Sequence, residues 1–216
     1  MTTGNYILFD AARIGDEMDE LKKLGKENES LYKTKEESLL QSVAPYLFVF
    51  AENTQLGDFY FSNGWGKSWG VLVFSPAGFK ELHKHFRRFL TVKTEDGTEL
   101  YFRFYDPRVL RIFLPTCDTG QLVEFFGPIQ YFLVEDATEG WGIKFWLENG
   151  HLKSKQIAVE EIRPNAVSAP PPTSIGVIVD AKENIPPEKF APNPTNPLPA
   201  KPTPSPPKKP NWDMFD

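Results

Sequence analysis

Trp69-Gly70-Val71-Leu72-Val73-Phe74-Ser75-Pro76-Ala77-Gly78-Phe79-Lys80-Glu81-Leu82-His83-Lys84-His85-Phe86-Arg87-Arg88-Phe89-Leu90 contains both building blocks of the fold. Trp69 to Ser75 is an apolar run of strand length, and Pro76, which has no amide N–H for a ladder, stops it. Phe79, Leu82, Phe86 and Leu90 then recur at helical spacing, so they share one face and leave Lys80, Lys84, Arg87 and Arg88 on the outward one. A strand followed by an amphipathic helix sets the expectation for the rest of the chain.

Toward the amino terminus, Phe59, Tyr60, Phe61, Trp65 and Trp69 fit either a short aromatic helix or a loop over residues 54–70. Leu39, Leu40, Val43 and Leu47 share a helical face, and Glu29 to Tyr32 is a short strand candidate. Asp16 to Gly25 places Met18, Leu21 and Leu24 at helical spacing with Gly25 as C-cap, and Tyr6 to Asp10 is a buried strand. Strand and helix therefore alternate, which suggests an α/β layer.

Toward the carboxyl terminus, Glu95-Asp96-Gly97-Thr98 is turn chemistry leading into a strand from Leu100 to Tyr105. Period-two alternation puts Leu100, Phe102 and Phe104 on one side and Tyr101, Arg103 and Tyr105 on the other. Asp106-Pro107 reads as an N-cap followed by proline at the first helical position, opening a helix from Asp106 to Leu114 that Pro115 closes. A second helix, Gln121 to Phe126, ends at Gly127-Pro128. Ile129 to Glu135, Gly142 to Glu148 and Leu152 to Val159 are strands, the last two joined by a hairpin at Asn149-Gly150. The expected fold class is α/β (mixed α+β): a single compact domain with a mixed sheet flanked by helices.

The 216 residues divide by composition, since 15 of the 20 prolines fall in residues 164–216. Residues 1–163 are read as the domain, large enough to build a core without disulfides or metals. Residues 164–216 are read as a proline-rich, disordered tail of polyproline II character. That tail ends in Trp212-Asp213-Met214-Phe215-Asp216, and Trp212, Met214 and Phe215 are a candidate linear motif for a partner's groove.

The body carries 19 Lys and Arg against 24 Asp and Glu, and the tail five of each. Neither part is a polycation, which disfavours binding to nucleic acid through phosphate neutralisation. No apolar run reaches the roughly 20 residues needed to span a bilayer, and Met1 to Tyr6 lacks a basic leader region. A soluble, cytoplasmic protein without membrane insertion is the expectation. The single cysteine, Cys117, excludes a disulfide framework and a zinc site of paired thiolates.

Catalytic signatures are not found. Gly66-Lys67-Ser68 resembles the end of a phosphate-binding loop, but the position that needs the first glycine is Phe61, so the segment is read as a turn between two core tryptophans. His83 and His85 lie two apart on a helix and point about 200° apart, so they do not chelate one metal. With His151 they are read as surface or boundary residues, and Cys117 as a small buried side chain. No catalytic, cofactor or metal residue is assigned, and the protein is read as a non-enzyme.

Arginine and aromatic residues, the types enriched at protein interfaces, stand out instead. The chain holds 18 Phe, 7 Tyr and 5 Trp. Candidate protein-binding residues are Arg87, Arg88, Tyr101, Arg103, Tyr105 and Arg108 in the body and Trp212, Met214 and Phe215 in the tail. The competing structural reading pairs Arg103 with Asp106 or with an acid of the amino-terminal helix.

The order of several strings resembles the adaptor or effector-chaperone family of bacterial type VI secretion, long catalogued as a domain of unknown function. They are Tyr6-Ile7-Leu8-Phe9-Asp10-Ala11-Ala12, Ser30-Leu31-Tyr32, Ala44-Pro45-Tyr46-Leu47, Trp69-Gly70-Val71-Leu72 and His85-Phe86-Arg87-Arg88-Phe89-Leu90. Phe102-Arg103-Phe104-Tyr105-Asp106-Pro107-Arg108-Val109-Leu110 is the most specific, and Leu114-Pro115-Thr116 and Phe125-Phe126-Gly127-Pro128 continue the pattern. The resemblance implies an adaptor that binds a secreted effector and loads it onto the valine-glycine-repeat spike protein. Two alternatives stand beside it: an enzyme of unrecognised class, and a proline-rich interaction protein acting through Pro204-Ser205-Pro206-Pro207-Lys208-Lys209.

Overall fold

A computed structural model describes residues 4–25, 27–33, 39–50, 54–93 and 99–162. The turn expected at Glu95 to Thr98 and the whole of the tail, with Trp212, Met214 and Phe215, lie outside the described residues.

Seven strands form one sheet: β1 (Gly4–Asp10), β2 (Asn28–Ser30), β3 (Pro45–Val49), β4 (Gly70–Ser75), β7 (Tyr131–Glu135), β8 (Trp141–Glu148) and β9 (His151–Ala158). Their order is β2-β3-β1-β4-β7-β8-β9, and two further strands, β5 (Thr91–Lys93) and β6 (Glu99–Tyr101), pair as a separate ribbon. The helices are α1 (Ala11–Ile14), α2 (Met18–Leu24), α3 (Thr54–Asn63), α4 (Phe79–Arg87), α5 (Pro107–Thr116), α6 (Thr119–Phe126) and α7 (Val159–Ile162). The expected sheet with flanking helices is present. Where a mixed sheet was expected, every pairing among the described residues is antiparallel.

Register decides which side chains meet. Ile7 lies opposite both Phe48 and Leu72, so these residues share one face with Phe9. There Phe9 meets Phe48 edge-on at 5.2 Å and Tyr60 of α3 at 5.6 Å. Tyr6, Val73 and Phe132 align on the opposite face. Phe79 of α4 packs on Tyr6 at 6.5 Å, and Phe125 and Phe126 of α6 pack on Phe132 at 5.5 and 5.1 Å. Helices thus cover both faces, which is why β1 and β4 read as unbroken apolar runs.

The segment 39–47 differs from its helical expectation. Residues 39–40 are a turn, Gln41–Val43 is one 3₁₀ turn, and Leu47 belongs to β3. Pro45 is the cause: the residue before a proline is driven extended, and Ala44 has ψ 153°. Leu39, Leu40 and Val43 are accordingly exposed, and only Leu47 reaches the core.

The alternation expected across Leu100 to Tyr105 also fails, because β6 ends at Tyr101 and Phe104-Tyr105 is a turn. Leu100 and Tyr101 are both exposed, whereas Phe104 and Tyr105 are both buried. The ambiguous stretch 54–70 resolves into α3 followed by turns over residues 64–68. Pro115 sits in the last turn of α5 rather than after it. The hairpin is as expected: Asn149 and Gly150 take φ of 52° and 77°, the left-handed pair that a two-residue turn between twisted strands requires.

Candidate functional site

The string Phe102 to Leu110 builds a charge cluster under the surface. Asp10, fully buried, ends β1 and caps α1 by accepting from the Ala12 N–H at 3.1 Å. Its other oxygen accepts from Arg103 Nη2. Burial pushes the Asp10 carboxyl up, and the bond and charge of Arg103 pull it only part of the way back. Asp106 caps α5 as expected, accepting from the Arg108 N–H at 3.0 Å and from Arg108 Nε and Nη2 at 3.0 and 2.7 Å. Burial acts to raise Asp106 as well, but the side chain and backbone of Arg108 bring it below the ordinary carboxylate value. Every oxygen of the two acids accepts a hydrogen bond, and the Asp10–Arg103 pair fastens the end of β1 to the segment before α5.

Of the expected Tyr101, Arg103, Tyr105 face, only part reaches solvent. Tyr105 is buried, and that burial suppresses its ionisation, whereas Tyr101 is exposed with its ring 5.9 Å from that of Tyr32. Arg103 and Arg108 keep about 42% and 49% of their side chains exposed while holding their acids.

The loop after α3 behaves like a phosphate loop turned on its own protein. Gly66 and Ser68 take positive φ of 83° and 60°. That geometry aims the Gly66 N–H at Glu135 Oε2, 2.7 Å away, while Ser68 Oγ donates to Oε1 at 2.8 Å. Glu135 is buried, and Arg111 donates to its backbone carbonyl. The group the loop closes around is the Glu135 side chain of β7, so the loop ties the end of α3 to the strand that pairs with β4.

His83 and His85, expected at the surface or boundary, are both buried. Helical spacing sends them to different sides of α4, but each side has a backbone carbonyl to meet: His83 Nε2 donates to Ser30 O at 2.8 Å and His85 Nε2 to Phe125 O at 2.9 Å. The Nδ1 of His85 accepts from Arg88 Nη2 at 3.0 Å. Burial holds the His85 pKa below its usual value. The unfolded chain therefore binds the extra proton first, so the contribution of His85 to stability is complete above about pH 6.5 and falls as pH drops below it, by up to about 1.4 kcal/mol per pH unit. Urea unfolding between about pH 7.5 and 5.5 is expected to show this slope, and His85→Gln to flatten it. His151, by contrast, is exposed at the start of β9.

On the outer side of α4 lies a groove of about 560 Å³. Among the described residues Lys33, Lys80, Lys84, Arg87 and Arg88 line it together with one acid, Glu29, and buried His83 borders it. Glu29 is held by Lys33 at 2.7 Å, which brings its carboxyl below the usual value. Arg87 Nε donates to Leu31 O at 3.0 Å, a neutral acceptor, as His85 is for Arg88. Sequence reading found the α4 cations but missed Lys33, which arrives from the loop after β2 and has no local signal.

Among the described residues no group of three or more His, Cys, Asp or Glu is placed to hold a metal ion, and no helix is long and apolar enough to cross a membrane. Cys117 is half-buried, its Sγ 3.4 Å from Phe113 O.

A family described as Domain of unknown function (DUF4123) matches residues 5–124. The chain belongs to that family. No curated protein and no solved structure matches. The match to this family spans β1 through most of α6, and so includes the Asp10–Arg103 and Asp106–Arg108 pairs and all of α4. It stops short of β7, β8 and β9.

Proposed function

We propose that the chain is a non-enzymatic cytoplasmic adaptor that binds a type VI secretion effector and loads it onto the valine-glycine-repeat spike protein. One observation carries the reading: the family match over residues 5–124 falls on the block of strings that resembles these adaptors. The geometry is compatible with this role. The most specific string has its one acid, Asp106, buried and bonded to Arg108, whereas the chain presents a cationic groove and an exposed tyrosine, which are recognition chemistry. Trp212, Met214 and Phe215 supply a second, weaker contact in this reading, and linking it to the body raises avidity.

Co-purification tests it. The tagged full chain, co-expressed with the products of its neighbouring genes, is expected to retain an effector and a spike protein. The full chain with Trp212→Ala and Phe215→Ala is expected to retain less of at least one. Recovery of neither partner by the wild-type chain overturns the adaptor reading.

A further inference from the structure

Lys80 and Lys84 of α4 and Arg88, its C-cap in helical conformation, follow one another at intervals of four, which sets them one helical turn apart on a single line. All three are exposed. Among the described residues no carboxylate comes within 4 Å of them or of Arg87, although Arg87 and Arg88 are oriented by neutral acceptors. The groove they line continues into a second depression of about 270 Å³ that shares Lys84 and Arg88 and adds Glu81, Gly127 and Pro128. Among the described residues, five cations face two carboxylates across the two depressions, in a protein whose formal net charge is −5. An unpaired cation row of fixed spacing is complementary to carboxylates of the same spacing.

We infer that this groove is the docking site for an acidic helical segment of a partner protein, with carboxylates repeating at each turn opposite Lys80, Lys84 and Arg88. The inference rests on the adaptor reading only for the partner being a protein. Charge and size select this occupant over nucleic acid. The nine-residue helix is about 13 Å long, so the row would meet only a few phosphates while the rest of a polyanion faced a net-negative surface.

The probe is a fluorescein-labelled helical peptide of alanine and glutamine with glutamate at every fourth position, titrated with the full chain at low salt and read by anisotropy. Saturable binding that weakens with added salt is expected. Lys80→Glu with Lys84→Glu is expected to weaken it about tenfold or more. Lys67→Glu with Lys155→Glu, an equal charge change at exposed sites away from the groove, is expected to leave it unchanged. Circular dichroism melts establish that each variant is folded. Three results overturn the inference: no binding by the wild-type chain, equal loss in the two double variants, or tighter binding of a single-stranded oligonucleotide than of the peptide. None of these outcomes depends on a secretion partner, so failure here and failure of co-purification are separate results.

Discussion

Arg103→Met is expected to lower the unfolding free energy by about 3–5 kcal/mol, because it strands a buried charge rather than merely deleting a contact. Asp10 is fully buried, and without Arg103 it keeps only the Ala12 N–H among the contacts described above. Its carboxyl is already raised by burial, so losing the guanidinium raises it further. The sign of the pH dependence follows. A carboxyl whose folded pKa lies above its unfolded value contributes stability below the unfolded pKa, and loses it as pH rises through the folded pKa. The variant should therefore recover part of its deficit on acidification from about pH 7 to 5, relative to wild type. Adding Asp10→Asn should restore most of the loss at neutral pH, since the stranded charge is gone. A double-mutant cycle by urea unfolding measures both effects, and a cost below about 1 kcal/mol for Arg103→Met would refute this account of the cluster.

The second large effect belongs to Phe125. Its ring meets Phe89 at 5.1 Å, Phe113 at 5.4 Å, Phe132 at 5.5 Å, Phe104 at 5.8 Å and Phe102 at 6.3 Å. These neighbours come from the end of α4, from α5, from β7 and from the segment between β6 and α5. Phe125→Ala opens a cavity that no single element can close, with an expected cost of about 3–5 kcal/mol. Phe125→Leu, which fills most of the space, is expected to cost distinctly less. Similar small losses in both variants, measured by urea unfolding, would show that these elements do not share one core.

Elements whose cause is local were legible in the sequence. The strand and helix from Trp69 to Leu90, the Asp106-Pro107 cap and the Asn149-Gly150 turn each depend on residues within one or two turns of chain, and each is present. The failures have more than one cause. Leu39 to Leu47 shows a helical apolar pattern that Pro45 overrides, because a steric clash at one residue outweighs a weak period. Leu100 to Tyr105 loses its alternation because β6 ends at Tyr101 and the chain turns at Phe104-Tyr105, which buries both of those rings. The histidines on α4 are buried because carbonyls from Ser30 and Phe125, distant in sequence, come to meet them. For the groove, the row Lys80, Lys84, Arg88 could be read from its spacing, whereas its opposite wall at Lys33 and Glu29 exists only after β2 has joined β3.

The pairing of β7 with β4 carries a consequence for any dissection of this protein. Likeness to the family ends at residue 124, yet Leu72, Val73 and Phe74 in the middle of the sheet take their partners from Leu133, Phe132 and Tyr131. A fragment trimmed to the matched residues would bare the flank of β4, a run of unsatisfied amides and carbonyls beside apolar side chains, and such flanks recruit other chains. It would also remove Glu135, the carboxylate that the Gly66 loop closes around. The matched residues are therefore fewer than those the sheet joins, since β4 is paired with β7, β7 with β8 and β8 with β9.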